Sequence, residues 1–181
     1  MVGDLARIQT TDDNISRVGM LAWFDVQSQN RVQGVEINSV DVANTLRINK
    51  SQYLKAKSVL QEYDLIHTHR PHSGFYAKVI AKRLGKPIIQ TEHNNHIAYS
   101  TKGQIANAVT NVIADEVVCV SESVHDSFPR WEKALVGDSK VSIIPNGVDV
   151  EQLNASHAIE WSIHDIVDID PNAVIVGSAG M

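Results

Sequence analysis

From Asn49 onward the chain switches repeatedly between a helical and an extended hydrophobic period, and this alternation limits the folds open to it more than any other feature. Over residues 49–63, Asn49 and Gln52 match the N-cap and N3 positions of a capping box. Tyr53, Ala56, Leu60 and Tyr63 then recur at three- and four-residue spacing, which predicts a helix. Residues 64–69 (DLIHTH) read as a short strand, apolar first and polar last. Helical spacing returns over 74–84, with Ala77, Ile80, Ala81 and Leu84 on one side and Gly85 where a helix C-terminal glycine belongs. Residues 86–93 (KPIIQTEH) form the next strand, 105–114 a helix and 115–121 (DEVVCVS) a strand. A helix over 123–135, interrupted near Pro129 and closed by Gly137, leads to a strand at 140–144 (KVSII). Strands separated by helices of this length need crossover connections, and so a parallel sheet. Their apolar runs are continuous rather than alternating, as in strands covered on both faces. The expected class is α/β, with a doubly wound parallel sheet and flanking helices.

The two ends are less regular. Residues 34–40 and 18–24 each fit a strand, but residues 1–48 suggest no clear order of elements. After Pro145-Asn146-Gly147-Val148-Asp149 comes a polar stretch to about Asn172, and then a fresh buried-strand pattern at 173–177 (AVIVG). A lone strand cannot satisfy its own ladder. The expected organisation is therefore a first domain over 1–154, a connector over 155–172, and at 173–181 the first strand of a second domain.

Apolar residues make up 43% of the 181 residues and charged residues 20%, which fits a globular chain with a sizeable core. The net charge of −5 argues against nucleic acid as a partner, since such domains carry a basic face. The densest basic stretch is Lys78, Lys82, Arg83 and Lys86, three of them in or just after what reads as a helix's last turn, where cations suit the dipole. The single cysteine, Cys119, lies inside an apolar run and reads as a small buried hydrophobe. The most apolar runs, 18–24 and 173–177, are far shorter than the about 20 residues of a membrane span. The N-terminus lacks the order of a signal peptide, so a cytoplasmic location is the expectation.

In open parallel sheets, ligands bind beyond the carboxyl ends of the strands. Three strands here end in polar groups: His67, Thr68, His69, Arg70 and His72; then Thr91, Glu92, His93, Asn94, Asn95 and His96; then Ser121 and Glu122. Strand alternation predicts His67 and His69 on one face with Thr68 opposite, and Thr91 and His93 together with Glu92 opposite. Polar groups gathered at one sheet edge need partners or a ligand. Each residue also has a structural reading: His67 as a core histidine, Arg70 and His72 as solvated loop residues, Asn146-Gly147 as a turn. Five histidines within 67–96 keep a metal-dependent hydrolase open, with His67, His69 and Glu92 or His93 as ligands on paper, although nothing in the spacing fixes such a geometry.

Read in order, DLIHTHRPHSGFYAKVIAKRLGKPIIQTEH, ADEVVCVSESV, KVSIIPNGVDVEQLN and AVIVGSAGM resemble family-4 glycosyltransferases of the GT-B fold, strongly over 64–154 and weakly over 173–181. The resemblance implies two Rossmann-like domains facing across a cleft, the first binding mostly the acceptor and the second the nucleotide sugar. It implies sugar transfer with retention of configuration, no cofactor beyond the nucleotide-sugar donor, and no metal. The acceptor would be a carbohydrate or lipid-linked molecule, with peripheral contact at the inner membrane face. By position, His93 matches the Thr-x-His histidine near the transferred sugar, where it would act as the catalytic residue by hydrogen bonding and charge stabilisation. His69 and Arg70 match acceptor-side positions, and Ser121 and Asn146 the cleft floor. Gly147 would let the backbone turn without a Cβ clash. His67 and Thr91 complete the expected substrate-binding set. Two departures stand out. No paired glycine occurs before residue 64, so the beginning reads as truncated or divergent, and the second domain, with its paired glutamates and basic residues, is missing. This chain alone is then expected to be inactive. The competing readings are a sugar-nucleotide epimerase-like enzyme of the same fold and a non-catalytic truncated paralogue acting as a binding module.

Overall fold

The computed structural model describes residues 2–24, 32–42, 47–69, 71–147 and 150. Two compact units divide the chain, 1–146 and 147–181, and every element described below belongs to the first. The expected connector at 155–172 and strand at 173–177 lie outside the described residues.

The local signals are realised closely. Helix α2 (Lys50–Leu60) starts at a complete capping box: the Gln52 N–H donates to Asn49 Oδ1 and the Asn49 N–H to Gln52 Oε1, both at 2.9 Å. It buries Ala56 and Leu60, and Tyr53 and Tyr63 pack beside them. Strand β3 (Ile66–Thr68) leads into α3 (Pro71–Arg83), which stops at Gly85 with φ +67°, the left-handed conformation that glycine adopts without cost. Strand β4 (Ile88–Glu92) is followed by a 3₁₀ turn (His96–Ala98) and α4 (Thr101–Ile113), whose N-cap Ser100 accepts from the Gly103 N–H. This helix begins four residues earlier than its apolar spacing suggests, because the cap rather than the first apolar residue sets its start. Strand β5 (Glu116–Cys119) is followed by α5 (Glu122–Asp126) and α6 (Arg130–Val136), broken apart at Pro129, and then by β6 (Val141–Ile143). The N-terminal region holds α1 (Val2–Gln9), which no sequence pattern announced, together with β1 (Gly19–Ala22) and β2 (Glu36–Ser39).

Among the described residues every strand pairing is parallel. One sheet runs β3-β4-β5-β6 and the other β1-β2. Both share one core: Trp23, Val40 and Val42, just beyond the strands of the small sheet, pack with Ile66, Ile80, Ala81, Ile88 and Val117, and Trp23 stacks on Tyr76 at 5.6 Å between ring centroids. Cys119 is fully buried, and burial pushes its thiol up to about 12, so it serves the core.

One face of β3 and β4 covers a buried polar network. Lys78, Gln90, Asn107 and Asn111 are all 0% exposed, and Glu92, His96 and Glu132 are 1% exposed. Lys78 Nζ donates to Gln90 Oε1 (2.7 Å), and so does the Thr68 hydroxyl (2.6 Å). The network continues through Glu92, which interacts with Asn107 and Asn111, to His96, whose Nδ1 lies 2.8 Å from Glu132 Oε2. Gly74 makes room for it, since a Cβ there would stand 3.3 Å from Thr68 Cβ and 3.5 Å from Gln90 Oε1. Lys78 therefore does not belong to a solvated basic face, and its place between Gly74 and Ala81 on the inner side of α3 is the reason. Desolvation dominates at both charges: burial lowers Lys78 to about 8 and raises Glu92, while their mutual attraction opposes each shift.

Lys78→Met takes away a buried donor to Gln90 and a charge that attracts Glu92, and is expected to cost about 1–3 kcal/mol. Denaturant midpoints check this; a variant as stable as the parent would show that Lys78 does not support the network.

Candidate functional site

The opposite face of β3 and β4 carries the histidines, and the sheet register explains why. His67 pairs with Ile89, so with a period of two the β3 column His67, His69 stands beside the β4 column Ile89, Thr91, His93. His67 Nε2 and Thr91 Oγ1 are hydrogen bonded at 2.7 Å. His69 Nδ1 and His93 Nε2 are 3.2 Å apart. The His67 and His69 rings lie 4.2 Å apart, and those of His69 and His93 stack at 5.5 Å. Four of the expected site residues, His67, His69, Thr91 and His93, thus form one contiguous group at the carboxyl ends of adjacent strands. Thr68 and Glu92 lie on the other face, as alternation predicts.

Burial disfavours the charged form of His67 and His69. Burial, with the neighbouring His67 and His93 rings adding to it, pushes His69 down to about 3. Burial and then His93 lower His67. A hydrogen bond between the facing nitrogens of His69 and His93 needs one donor and one acceptor, so the tautomer of one ring sets that of the other. Such a surface offers hydrogen bonds of fixed direction to hydroxyl groups. Among the described residues, no group of three His, Cys, Asp or Glu side chains could hold a metal ion.

The remaining expected residues are placed differently. Ser121, at the end of β5, caps α5, its hydroxyl accepting from the Val124 N–H at 3.2 Å. Asn146 is exposed beyond β6. Gly147 belongs to the second unit; a Cβ there would meet nothing within 4 Å, and its φ is not in the left-handed region, so no steric need for glycine is evident among the described residues. Arg70 lies outside the described residues.

His96 was grouped with the polar strand end, yet it points inward. Its N–H donates to Ser127 Oγ (2.9 Å), its Nε2 meets Asn107 Nδ2 (3.1 Å), and Phe128 packs edge-on against its ring at 4.0 Å. Asn95 and Ser123 make a further tie at 3.3 Å. His93 therefore stands between two buried anchors, Glu92 and His96. The available sequence signal was Asn107 and Asn111, two amides four residues apart and so on one side of α4.

Similarity to known proteins agrees with this architecture. The family model Glycosyltransferase Family 4 matches residues 20–152, and the chain belongs to that family. A curated relative in Escherichia coli, a UDP-Gal:alpha-D-GlcNAc-diphosphoundecaprenol alpha-1,3-galactosyltransferase, is 25% identical over 108 residues, covering 51% of this chain and 25% of the relative. Solved structures of HepE from Anabaena share the fold. The complex with UDP and glucose aligns with TM-score 0.60 at 16% identity, over 82% of this chain and 42% of HepE. The complex with UDP-glucose aligns with TM-score 0.60 at 17% identity, over 82% of this chain and 41% of HepE. The chain thus spans a quarter to two-fifths of the length of these relatives. Its fold is the Rossmann-like α/β arrangement of the N-terminal domain of GT-B glycosyltransferases.

The lowered histidines make stability depend on pH in a definite direction. Unfolded, these rings titrate near 6.5; folded, His69 resists protonation to about 3. Between those values the unfolded state binds protons that the folded state refuses, so stability is whole above about pH 6.5 and falls as pH drops toward 3. Thermal melts from pH 8 to 4 are expected to show this decline, and His69→Gln to flatten it. An unchanged slope in that variant would contradict the assignment.

Proposed function

We propose that this chain is the acceptor-side half of a glycosyltransferase that moves a sugar, as hexosyltransferases do, from a nucleotide sugar to a carbohydrate or lipid-linked acceptor with retention of configuration. The observation that carries this reading is the contiguous, hydrogen-bonded face of His67, His69, Thr91 and His93 at the strand ends. His93 donates or accepts a hydrogen bond at the transferred sugar and stabilises charge as the glycosidic bond loosens. His69 holds the His93 ring through their facing nitrogens, and Thr91 orients His67. Arg70, Ser121, Asn146 and Gly147 serve the acceptor and the neighbouring wall of the site. The HepE structures hold UDP with glucose, or UDP-glucose, and the E. coli relative is named for a lipid-diphosphate acceptor, which supports both substrate classes. No helix among the described residues is long and apolar enough to cross a membrane, and contact with a lipid-linked acceptor would be peripheral, at the inner face.

The groups that bind the leaving diphosphate belong to a C-terminal domain, and positioning and electrostatics around that leaving group supply most of the rate. Residues 1–181 alone are expected to release no nucleoside diphosphate from a nucleotide sugar, whereas a full-length protein does. In that protein His93→Ala is expected to lower turnover by roughly 10²-fold, with little change in melting temperature. Release assays and melts on the two forms check both statements; near-normal turnover in the variant would return His93 to a structural role.

A further inference from the structure

His96 follows Glu92, the last residue of β4, by four positions, and His93 stands between them. Both flanking side chains point into the interior, and both meet the same group, the Asn107 amide of α4. Asn107 Nδ2 lies 3.1 Å from His96 Nε2. The same side chain hydrogen bonds with the Glu92 carboxyl, favouring its charged form against burial. Asn107 Oδ1 finds no hydrogen-bond partner among the described residues, so the nitrogen end is the one in use, and its two hydrogens suffice for two acceptors. With an amide hydrogen directed at Nε2, the His96 ring carries its proton on Nδ1, which lies 2.8 Å from Glu132 Oε2. The His96 backbone is held as well: its N–H donates to Ser127 Oγ at 2.9 Å, and its C=O accepts from Gln104 Nε2 at 3.1 Å.

An apolar residue of similar size would fill this 0% exposed position without stranding an acceptor. What the amide adds is the connection it makes. Tying residue 92 to residue 96 closes a loop around residues 93–95, and so short a closed loop has few backbone states.

We propose that Asn107 is a positioning residue: by clasping Glu92 and His96 together it fixes the backbone of residues 93–95, and with it the direction in which the His93 ring meets His69. Asn107 lies on the interior side, away from the histidine face, and acts on that face only through the chain between its two partners. The bearing of this clasp on sugar transfer rests on the proposed role of His93.

The test uses Asn107→Leu, which keeps a similar volume and removes both ties. The control is Thr110→Val, three residues further along α4, where a buried hydroxyl donates to the Asn107 C=O at 2.7 Å. In the 181-residue chain, imidazole nitrogen NMR signals are read together with hydrogen exchange at the His96 and Ala98 amides, which donate to Ser127 and Asn95. Asn107→Leu is expected to shift and broaden the His69 and His93 ring signals and to speed exchange at both amides by about tenfold, with Thr110→Val matching the parent. In a full-length protein Asn107→Leu is expected to lower kcat by about tenfold while KM for the donor stays within about twofold. Unchanged ring signals and exchange in Asn107→Leu overturn the proposal. An equal change in Thr110→Val does so too, since it would mark a general loosening of α4. Should Asn107→Leu not fold, Asn107→Ser, too short to join both anchors, is held to the same expectations. Normal kcat in Asn107→Leu, beside a His93→Ala variant that has lost turnover, would overturn the positioning role and leave the proposed activity standing. Normal turnover in His93→Ala would instead overturn that activity, and the ring signals and exchange rates would still decide whether Asn107 directs His93.

Discussion

The parallel register of β3 against β4, with Ile66 beside Ile88 and Thr68 beside Gln90, is the constraint on which the rest depends. With two neighbouring strands in register and side chains alternating, everything at their carboxyl ends is sorted into two sets. One set is His67, His69, Thr91 and His93. The other is Thr68, Gln90 and Glu92, against Lys78 of α3. A slip of one residue in either strand would mix the sets, setting imidazoles against the buried lysine and turning Glu92 out of its network. Site and interior are therefore specified by the same hydrogen-bond ladder.

The interior set is expensive in isolation. Glu92 Oε1, Asn107 Oδ1 and Asn111 Oδ1 find no hydrogen-bond partner among the described residues. A buried polar region of this kind contributes little net stability compared with apolar packing, and its value lies in admitting one arrangement of α3, α4 and α6 against the sheet. That arrangement carries through to the site, because the turn after His93 is fixed at one end by Glu92 and at the other by His96. A functional side chain on a short loop keeps its direction when the residues around it are locked by packing and hydrogen bonds.

Elements carried by contiguous signals were readable. The capping box at Asn49 and Gln52, the left-handed Gly85 and the break at Pro129 act within one or two turns of chain, so a linear reading captures them. The histidine face was readable too, because alternation within β3 and β4 needs only the strand assignment. Helix α1 was not read: Val2, Leu5 and Ala6 do recur at helical spacing, but over only eight residues, too few to stand out without a capping signal. The inward turn of Lys78 and His96 was not readable either. Both depend on partners brought from elsewhere in the chain, Gln90 and Glu92 for the lysine and Asn107, Phe128 and Glu132 for the histidine.

By itself the sequence determined an α/β chain of parallel strands and helices, with its polar residues collected at the strand ends, because helical and extended periods are local properties of the order of residues. Only the tertiary structure decided which histidines touch, which lysine is buried, and that among the described residues β1 pairs with β2 and β3 with β4. Those outcomes follow from which strands lie side by side and in what register, and that is set by packing between segments far apart in the chain.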